Sequence, residues 1–155
     1  MMAVKIKLDE GAIMPTRAHA TDAGLDLYSR EDKVVFPSGV IGNGEYDYKH
    51  QLESSETFDT GVHIAFDRKT YGKIESKSGL NVLHGIVSCG GVIDEGYTGS
   101  ITVKLYNLST KPYTVRKGDK IAQLVIMPYL VPDIEIVDEL NETERGCGAF
   151  GSTGR

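Results

Sequence analysis

Cysteine is scarce in this chain. Cys89 and Cys147 are the only two among 155 residues and show no CxxC spacing, so they read as reduced thiols of a cytoplasmic protein, not as a disulfide framework. The four histidines, His19, His50, His63 and His84, fall neither at a zincin spacing nor beside a cysteine pair, which argues against a zinc site held by protein ligands. Any metal is expected to arrive with a substrate. Positive charge is also in deficit: 17 Lys and Arg stand against 22 Asp and Glu, a formal charge of -5. That excludes the broad basic footprint of a nucleic-acid-binding protein, so an anionic ligand must be held locally. Long apolar runs are missing. The longest, Ile121 to Met127, is interrupted by Gln123 and is far shorter than the roughly 20 residues that cross a bilayer, so no membrane role is expected. The opening Met-Met-Ala-Val-Lys-Ile-Lys-Leu alternates polar and apolar residues and lacks the blocks of a secretion signal.

What is present is the ordinary material of one globular domain, 40% hydrophobic and 25% charged. A chain of this length buries roughly 70% of its unfolded surface and needs no covalent staple. Its period is that of strands. Val4, Ile6 and Leu8 alternate with Lys5 and Lys7; Val62, Ile64 and Phe66 with His63 and Ala65; Ile101, Val103 and Leu105 with Thr102 and Lys104; Ile134 and Ile136 with Glu135. Turn-forming residues separate the runs. One brief helix is predicted, with Ser78 capping Gly79 to Leu83 and Gly85 ending it. The expectation is an all-β jelly roll or distorted barrel over residues 1–140, with an inserted loop at 39–57 and a flexible C-terminal arm at 141–155. The loop reads as a surface excursion or, through Tyr46 and Tyr48, as a partner-binding element.

Four segments carry residues suited to chemistry. In the arm, Gly146, Gly148 and Gly151 satisfy a GxGxxG search, but no acidic residue can follow about 20 positions on and no Lys follows Gly151, so neither a dinucleotide fingerprint nor a Walker loop is present. The arm does offer Arg145 for a terminal phosphate, Ser152 and Thr153 for phosphate oxygens, and Phe150 to stack on a base. Ser76-Lys77-Ser78-Gly79-Leu80 sets a cation and a hydroxyl where free amides begin a helix, a second phosphate candidate. Ser88 to Gly99 reads as a β-hairpin in which Gly90 and Gly91 admit a planar ligand to the backbone. There Asp94 is a candidate base for water and Tyr97 a wall for a sugar. Asp22 and Asp26 read as turn acids or as acids orienting waters on magnesium.

The order and wording of these segments resemble the trimeric deoxyuridine triphosphate nucleotidohydrolases, the dUTPases. Their five motifs are matched by Asp22 to Ser29, Ser76 to Leu80, Gly91 to Gly99, Gly118 to Leu124 and Arg145 to Gly154. The resemblance implies a jelly-roll homotrimer whose active sites form between subunits and hydrolyse dUTP to dUMP and pyrophosphate with Mg2+. It further implies that Asp94 activates water against the α-phosphorus, that Tyr97 excludes a ribose 2′-hydroxyl, and that backbone from Ser88 to Gly91 reads uracil. Lys77, Ser78, Gly79, Gln123, Arg145, Ser152 and Thr153 would meet phosphates, Phe150 would close over the base, and Asp26 would touch magnesium through water.

The chain departs from the family pattern at Lys77, where Arg is usual, at Gly96, where an acid is common, and at Cys147 and Ala149, where Gly is frequent. Lys offers a point charge instead of a fork, and Ala149 matters only if its backbone needs positive φ. The long 39–57 stretch resembles excursions in phage members and suggests a phage or prophage origin, with host cytoplasm as the location. It also suggests a second role, regulation through a protein partner. A dCTP deaminase, which shares the fold, fits less well because the Asp94 to Tyr97 segment and the Phe150-bearing motif are both present.

Overall fold

Alternating burial along the chain is realised as antiparallel strands. The computed structural model describes residues 4–37, 40–41, 45–46 and 54–148. Chain order is β1 (Lys5–Leu8), β2 (Gly24–Tyr28), β3 (Lys33–Val35), β4 (Val40–Ile41), β5 (Glu45–Tyr46), β6 (Ser55–Ala65), β7 (Thr70–Glu75), α1 (Ser78–His84), β8 (Ile86–Cys89), β9 (Val92–Ile93), β10 (Ser100–Asn107), β11 (Tyr113–Val115) and β12 (Lys120–Pro128). Two four-stranded sheets, ordered β1-β6-β10-β8 and β2-β12-β7-β9, form the body. β3 pairs with β11, and β4 with β5.

The core lies where the inward residues of these strands meet. On β10, Ile101, Val103 and Leu105 are fully buried, while Thr102 and Lys104 between them are exposed. They join Leu27, Phe58, Val62, Ile64, Ile121 and Leu124 in one cluster. Burying each such side chain contributes about 1.5–3 kcal/mol, so the sheets hold together without a covalent tie. Among the described residues the chain forms the expected all-β, jelly-roll-type class, with one short helix.

Four local expectations change. β6 starts at Ser55 and pairs with β10 (Ser55↔Tyr106, Glu56↔Leu105, Thr57↔Lys104), so residues 55–57 belong to the sheet and not to the excursion. The excursion itself contains the β4–β5 pairing, Val40↔Tyr46 and Ile41↔Glu45; residues 38–39, 42–44 and 47–53 lie outside the described residues. α1 begins with Ser78 inside the helix. Lys77 holds the cap position with φ -79° and ψ 126° and no side-chain cap bond, and Gly85 ends the helix in the left-handed region, as expected. Ile134 and Ile136 form no strand. Among the described residues no ladder faces them, and they stand 93% and 96% exposed.

β6 also bends. Gly61 adopts φ +65°, and the β6–β10 register slips between Ser100 and Thr102. A bulge of this kind re-aims the residues after it, and it sets His63 opposite Ser100.

Candidate active site

Asp26 sits on β2 with its carboxylate almost wholly buried. One oxygen meets Lys77, just ahead of α1, and the other lies 2.6 Å from Lys120 Nζ on β12. Burial works against its charge. Hydrogen bonds and charge from Lys120 and Lys77 outweigh burial and hold the carboxyl below its ordinary value. Gln123, paired with Asp26 in register, donates from Nε2 to the Ser76 carbonyl at 3.0 Å. Asp22, Asp26, Lys77, Lys120 and Gln123 together line a hollow of about 380 Å³. Asp22 itself is a turn acid, accepting from the His19 N–H at 2.9 Å.

Lys120 belongs to the fourth motif, yet sequence reasoning misses it. Strict alternation puts residues 120 and 123 on opposite faces of a strand. The register slips between Lys120 and Ala122, and the bulge turns both side chains into the same hollow. The sequence carries no mark of this bulge; in the fold Lys120 Nζ also lies 6.0 Å from the Tyr28 ring centre.

From Ser88 to Gly99 the predicted hairpin is absent. Cys89 pairs with Lys104 of β10 in one sheet, whereas Val92 pairs with Lys73 of β7 in the other, so the segment crosses between sheets. The two glycines at the crossing serve different ends. A Cβ on Gly90 would stand 2.6 Å from Ile74 Cγ1, so this glycine is required by packing. Gly91 has φ +66° and open space around it, and it alone fits the expectation of backbone left accessible to a ligand. Ser88 is tied to the end of β7, its N–H donating to Ser76 Oγ at 3.0 Å.

Beyond β9 the exposed Asp94 begins a turn, its carbonyl accepting from the Tyr97 N–H at 3.0 Å. Tyr97 lies back on its own loop, its hydroxyl donating to the Ser100 carbonyl at 3.0 Å. Asp94, Glu95 and Gly96 line a second hollow of about 350 Å³ with Tyr71, Val92 and Tyr129. Glu95 lies in the third motif without being singled out there, and Tyr129 lies outside all five. The Tyr129 hydroxyl at 2.6 Å and the Lys69 N–H at 2.9 Å hold the Glu95 carboxyl below its ordinary value.

These two hollows share no residue. Asp26 belongs to edge strand β2 and Asp94 follows the opposite edge strand β9, three strand spacings apart in the sheet order, roughly 14 Å. One chain therefore brings Asp26, Lys77 and Gln123 together, with Ser78 and Gly79 following directly, but not Asp94 and Tyr97 with them. Arg145 stands apart from both, in a local turn where its Nε donates to the Gly148 carbonyl at 3.1 Å. Phe150, Ser152 and Thr153 lie outside the described residues. Among the described residues no three His, Cys, Asp or Glu side chains cluster as a metal cage. Asp26, with both oxygens engaged by ammonium groups, suits contact with a cation through water better than direct ligation. Among the described residues no helix is long and apolar enough to cross a membrane.

The chain is similar to known proteins over most of its length. The family model for dUTPase matches residues 44–154. The deoxyuridine 5'-triphosphate nucleotidohydrolase of Rattus norvegicus is 41% identical over 150 residues, 97% of this chain and 66% of that protein, so the chain spans about two thirds of it. The same enzyme of Clostridium tetani is 41% identical over 155 residues, covering 98% of this chain and 97% of that one. Among solved structures, a point mutant of the Staphylococcus bacteriophage 80alpha dUTPase with dUpNHpp superposes with a TM-score of 0.83 at 27% identity, covering 99% of both chains. A point mutant of the dUTPase from S. aureus phage phi11, described as coordinating a structural Mg(II) ion, gives 0.74 at 26% identity over 90% of this chain and 99% of that one.

Proposed function

Because the chain belongs to the dUTPase family and hydrolyses dUTP to dUMP and pyrophosphate, we propose that Asp94 is the base of the reaction and that the site is completed between subunits of a homotrimer. Asp94 takes a proton from water as the water oxygen bonds to the α-phosphorus. The bridging oxygen to the β-phosphorus leaves with pyrophosphate. Tyr97 packs on deoxyribose and rejects a 2′-hydroxyl, and backbone at Ser88 and Gly91 reads uracil. Lys77, Ser78, Gly79 and Gln123 hold the phosphates from a neighbouring subunit. Arg145, Ser152 and Thr153 add contacts from the arm, and Phe150 covers the base and excludes water. The substrate would be the magnesium complex of dUTP, in which Mg2+ would neutralise phosphate charge and Asp26 would contact it through water. The enzyme acts in the cytoplasm, that of a host if the chain is phage-encoded.

The observation that carries this reading is the hollow in which Lys77, Lys120 and Gln123 stand beside Asp22 and Asp26, two ammonium groups gathered at one place in a chain of net charge -5. It supplies what a triphosphate needs and lacks Asp94, so a second subunit has a defined contribution to make. Pyrophosphate release from dUTP with magnesium, measured beside dTTP, dCTP and UTP, tests it. Release from dUTP alone, lost in Asp94→Asn, is expected; equal release from dTTP would refute the base-reading role of Ser88 to Gly91.

A second role has its own support. The β4–β5 pairing forms a separate two-stranded sheet within the excursion, and the bacteriophage 80alpha dUTPases are described as controlling transfer of virulence genes by a proto-oncogenic G protein-like mechanism. A regulatory partner bound through this element is the matching reading here. Deleting residues 39–53, which spares β6, is expected to leave turnover intact and abolish partner capture.

A further inference from the structure

His63 lies outside every motif, yet it touches the loop that carries Tyr97. Its Nδ1 is 2.8 Å from the Thr98 carbonyl oxygen and its Nε2 is 3.1 Å from Asp9 Oδ1. A carbonyl and a carboxylate oxygen only accept hydrogen bonds. A neutral imidazole has one N–H and one lone pair, so it can satisfy one of these partners and must oppose the other. Only the imidazolium, with two N–H groups, fits both.

The surroundings favour the cation. Asp9 follows β1, and Asp59 on β6 accepts from the Ser100 hydroxyl and from the Gly61 N–H at 3.2 Å. Arg30 joins the two acids, 3.5 Å from Asp9 and 3.6 Å from Asp59. Lys7, directly opposite His63 on β1, and Lys5 farther along oppose the charge. The balance raises the imidazole above its ordinary value, chiefly through the Thr98 carbonyl and then Asp9.

We propose that His63 is a positioning residue for the sugar-contacting loop, which it clamps through Thr98 only while its imidazole is protonated. The proposal rests on the reading that Tyr97 packs against deoxyribose. On losing a proton the ring keeps its N–H toward the charged Asp9, the stronger acceptor. Nδ1 then presents a lone pair to the Thr98 oxygen, and Thr98 loses its clamp while Ser100 stays held by Asp59 and the β6–β10 ladder. Because Tyr97 hangs from the adjacent residue, its aim at the sugar loosens with the clamp. Discrimination between dUTP and UTP therefore falls as pH rises through the His63 transition.

The two substrates share base, triphosphate and attacking water, so the ratio of their kcat/KM values cancels other titrations in the site. That ratio is measured against pH in the intact enzyme, with His63 and the Tyr97 and Thr98 amides followed by NMR on isotope-labelled protein. A fall of about fivefold, the size of one lost hydrogen bond, is expected across the His63 transition together with a shift of both amides. Asp9→Asn should move the imidazole transition to lower pH and weaken the step, because the neutral ring then has no charged acceptor to prefer over Thr98, and His63→Gln should remove the step. A constant ratio through the transition, or a step that persists in His63→Gln, overturns the proposal. If the protein released no pyrophosphate from dUTP the catalytic reading would fail on its own, and the clamp would still be decided by whether the amides move with His63.

Discussion

Asp26 and Lys120 form an ion pair, 2.6 Å from Oδ2 to Nζ, although the ladder between β2 and β12 sets Lys120 opposite Tyr28 and Asp26 opposite Gln123. The bulge after Lys120 makes this diagonal contact, and Lys77 closes the carboxylate from the other side. The Asp26 carboxyl is held below its ordinary 3.8 because the two lysines outweigh burial. Its contribution to stability is therefore complete above that value and disappears as pH falls through the depressed one. Lys120→Met should destabilise the protein at neutral pH, by less than the loss of a fully buried pair because Lys120 is 42% exposed. The difference from the unaltered protein should vanish in strong acid. Urea unfolding at several pH values reads both, and a penalty unchanged in acid would show that it comes from packing of the lysine stem.

Asp94→Asn keeps the shape of an exposed turn residue and removes its basicity. Hydrolysis should fall at least about a hundredfold, the scale of a positioned base, with dUTP affinity retained. Calorimetric titration with dUTP beside a turnover assay separates the two quantities. Equal losses in both would make Asp94 a binding residue instead.

Gly99 lies beneath Tyr97: a Cβ there would be 2.6 Å from the tyrosine Cζ. Gly99→Ala should thus lift the ring from its seat without touching substrate. UTP should become a better substrate relative to dUTP, as in Tyr97→Ala, while melting temperature changes little because the ring is 45% exposed. If Gly99→Ala leaves discrimination intact while Tyr97→Ala abolishes it, the seat on the Ser100 carbonyl is not the one Tyr97 uses with substrate bound.

The glycine pair at the sheet crossing separates packing from backbone conformation. Gly90→Ala forces a methyl against Ile74 and should destabilise by about 1–3 kcal/mol, the range for overpacking. Gly91→Ala meets open space but needs φ +66°, which costs about 1 kcal/mol. Trimming the neighbour distinguishes them. Ile74→Ala, which removes Cγ1 and Cγ2 from the path of the added methyl, should cost less on top of the first variant than on top of the second, as thermal unfolding of the double variants would show.

Much of this was legible in the residues because burial follows alternation. Ile101, Val103 and Leu105 announced β10, and Gly85 announced the end of α1. Ser55 to Thr57 did not announce β6, since Glu56 and Thr57 are as polar as the excursion before them and only pairing with β10 makes them a strand. Within the site, Asp26, Lys77 and Gln123 are identified from motif order. Lys120 is hidden by a bulge, and His63 by lying on a strand whose alternation already explains it. Ser88 to Gly99 reads as a hairpin turning near Asp94 because the sequence does not show that Cys89 and Val92, on either side of Gly90 and Gly91, pair in different sheets.

Ile134 and Ile136 read as strand residues, and their pattern is strand-like, but one chain offers them no ladder. Leu130, Val131 and Leu140 are 74% or more exposed on the same segment. Apolar residues this dense on a surface ask for a partner, and a separate site half on each edge of the β2-β12-β7-β9 sheet asks for one too. A second copy of the chain answers both requirements. The double variant Ile134→Glu, Ile136→Glu should therefore leave the fold of residues 4–128 intact while lowering the sedimentation coefficient toward that of a monomer. Turnover should fall in proportion to trimer lost and recover as protein concentration rises. A variant that stays trimeric with full activity would show that these isoleucines are not the contact, and the edge strands β1 and β8 would be the next place to introduce charge.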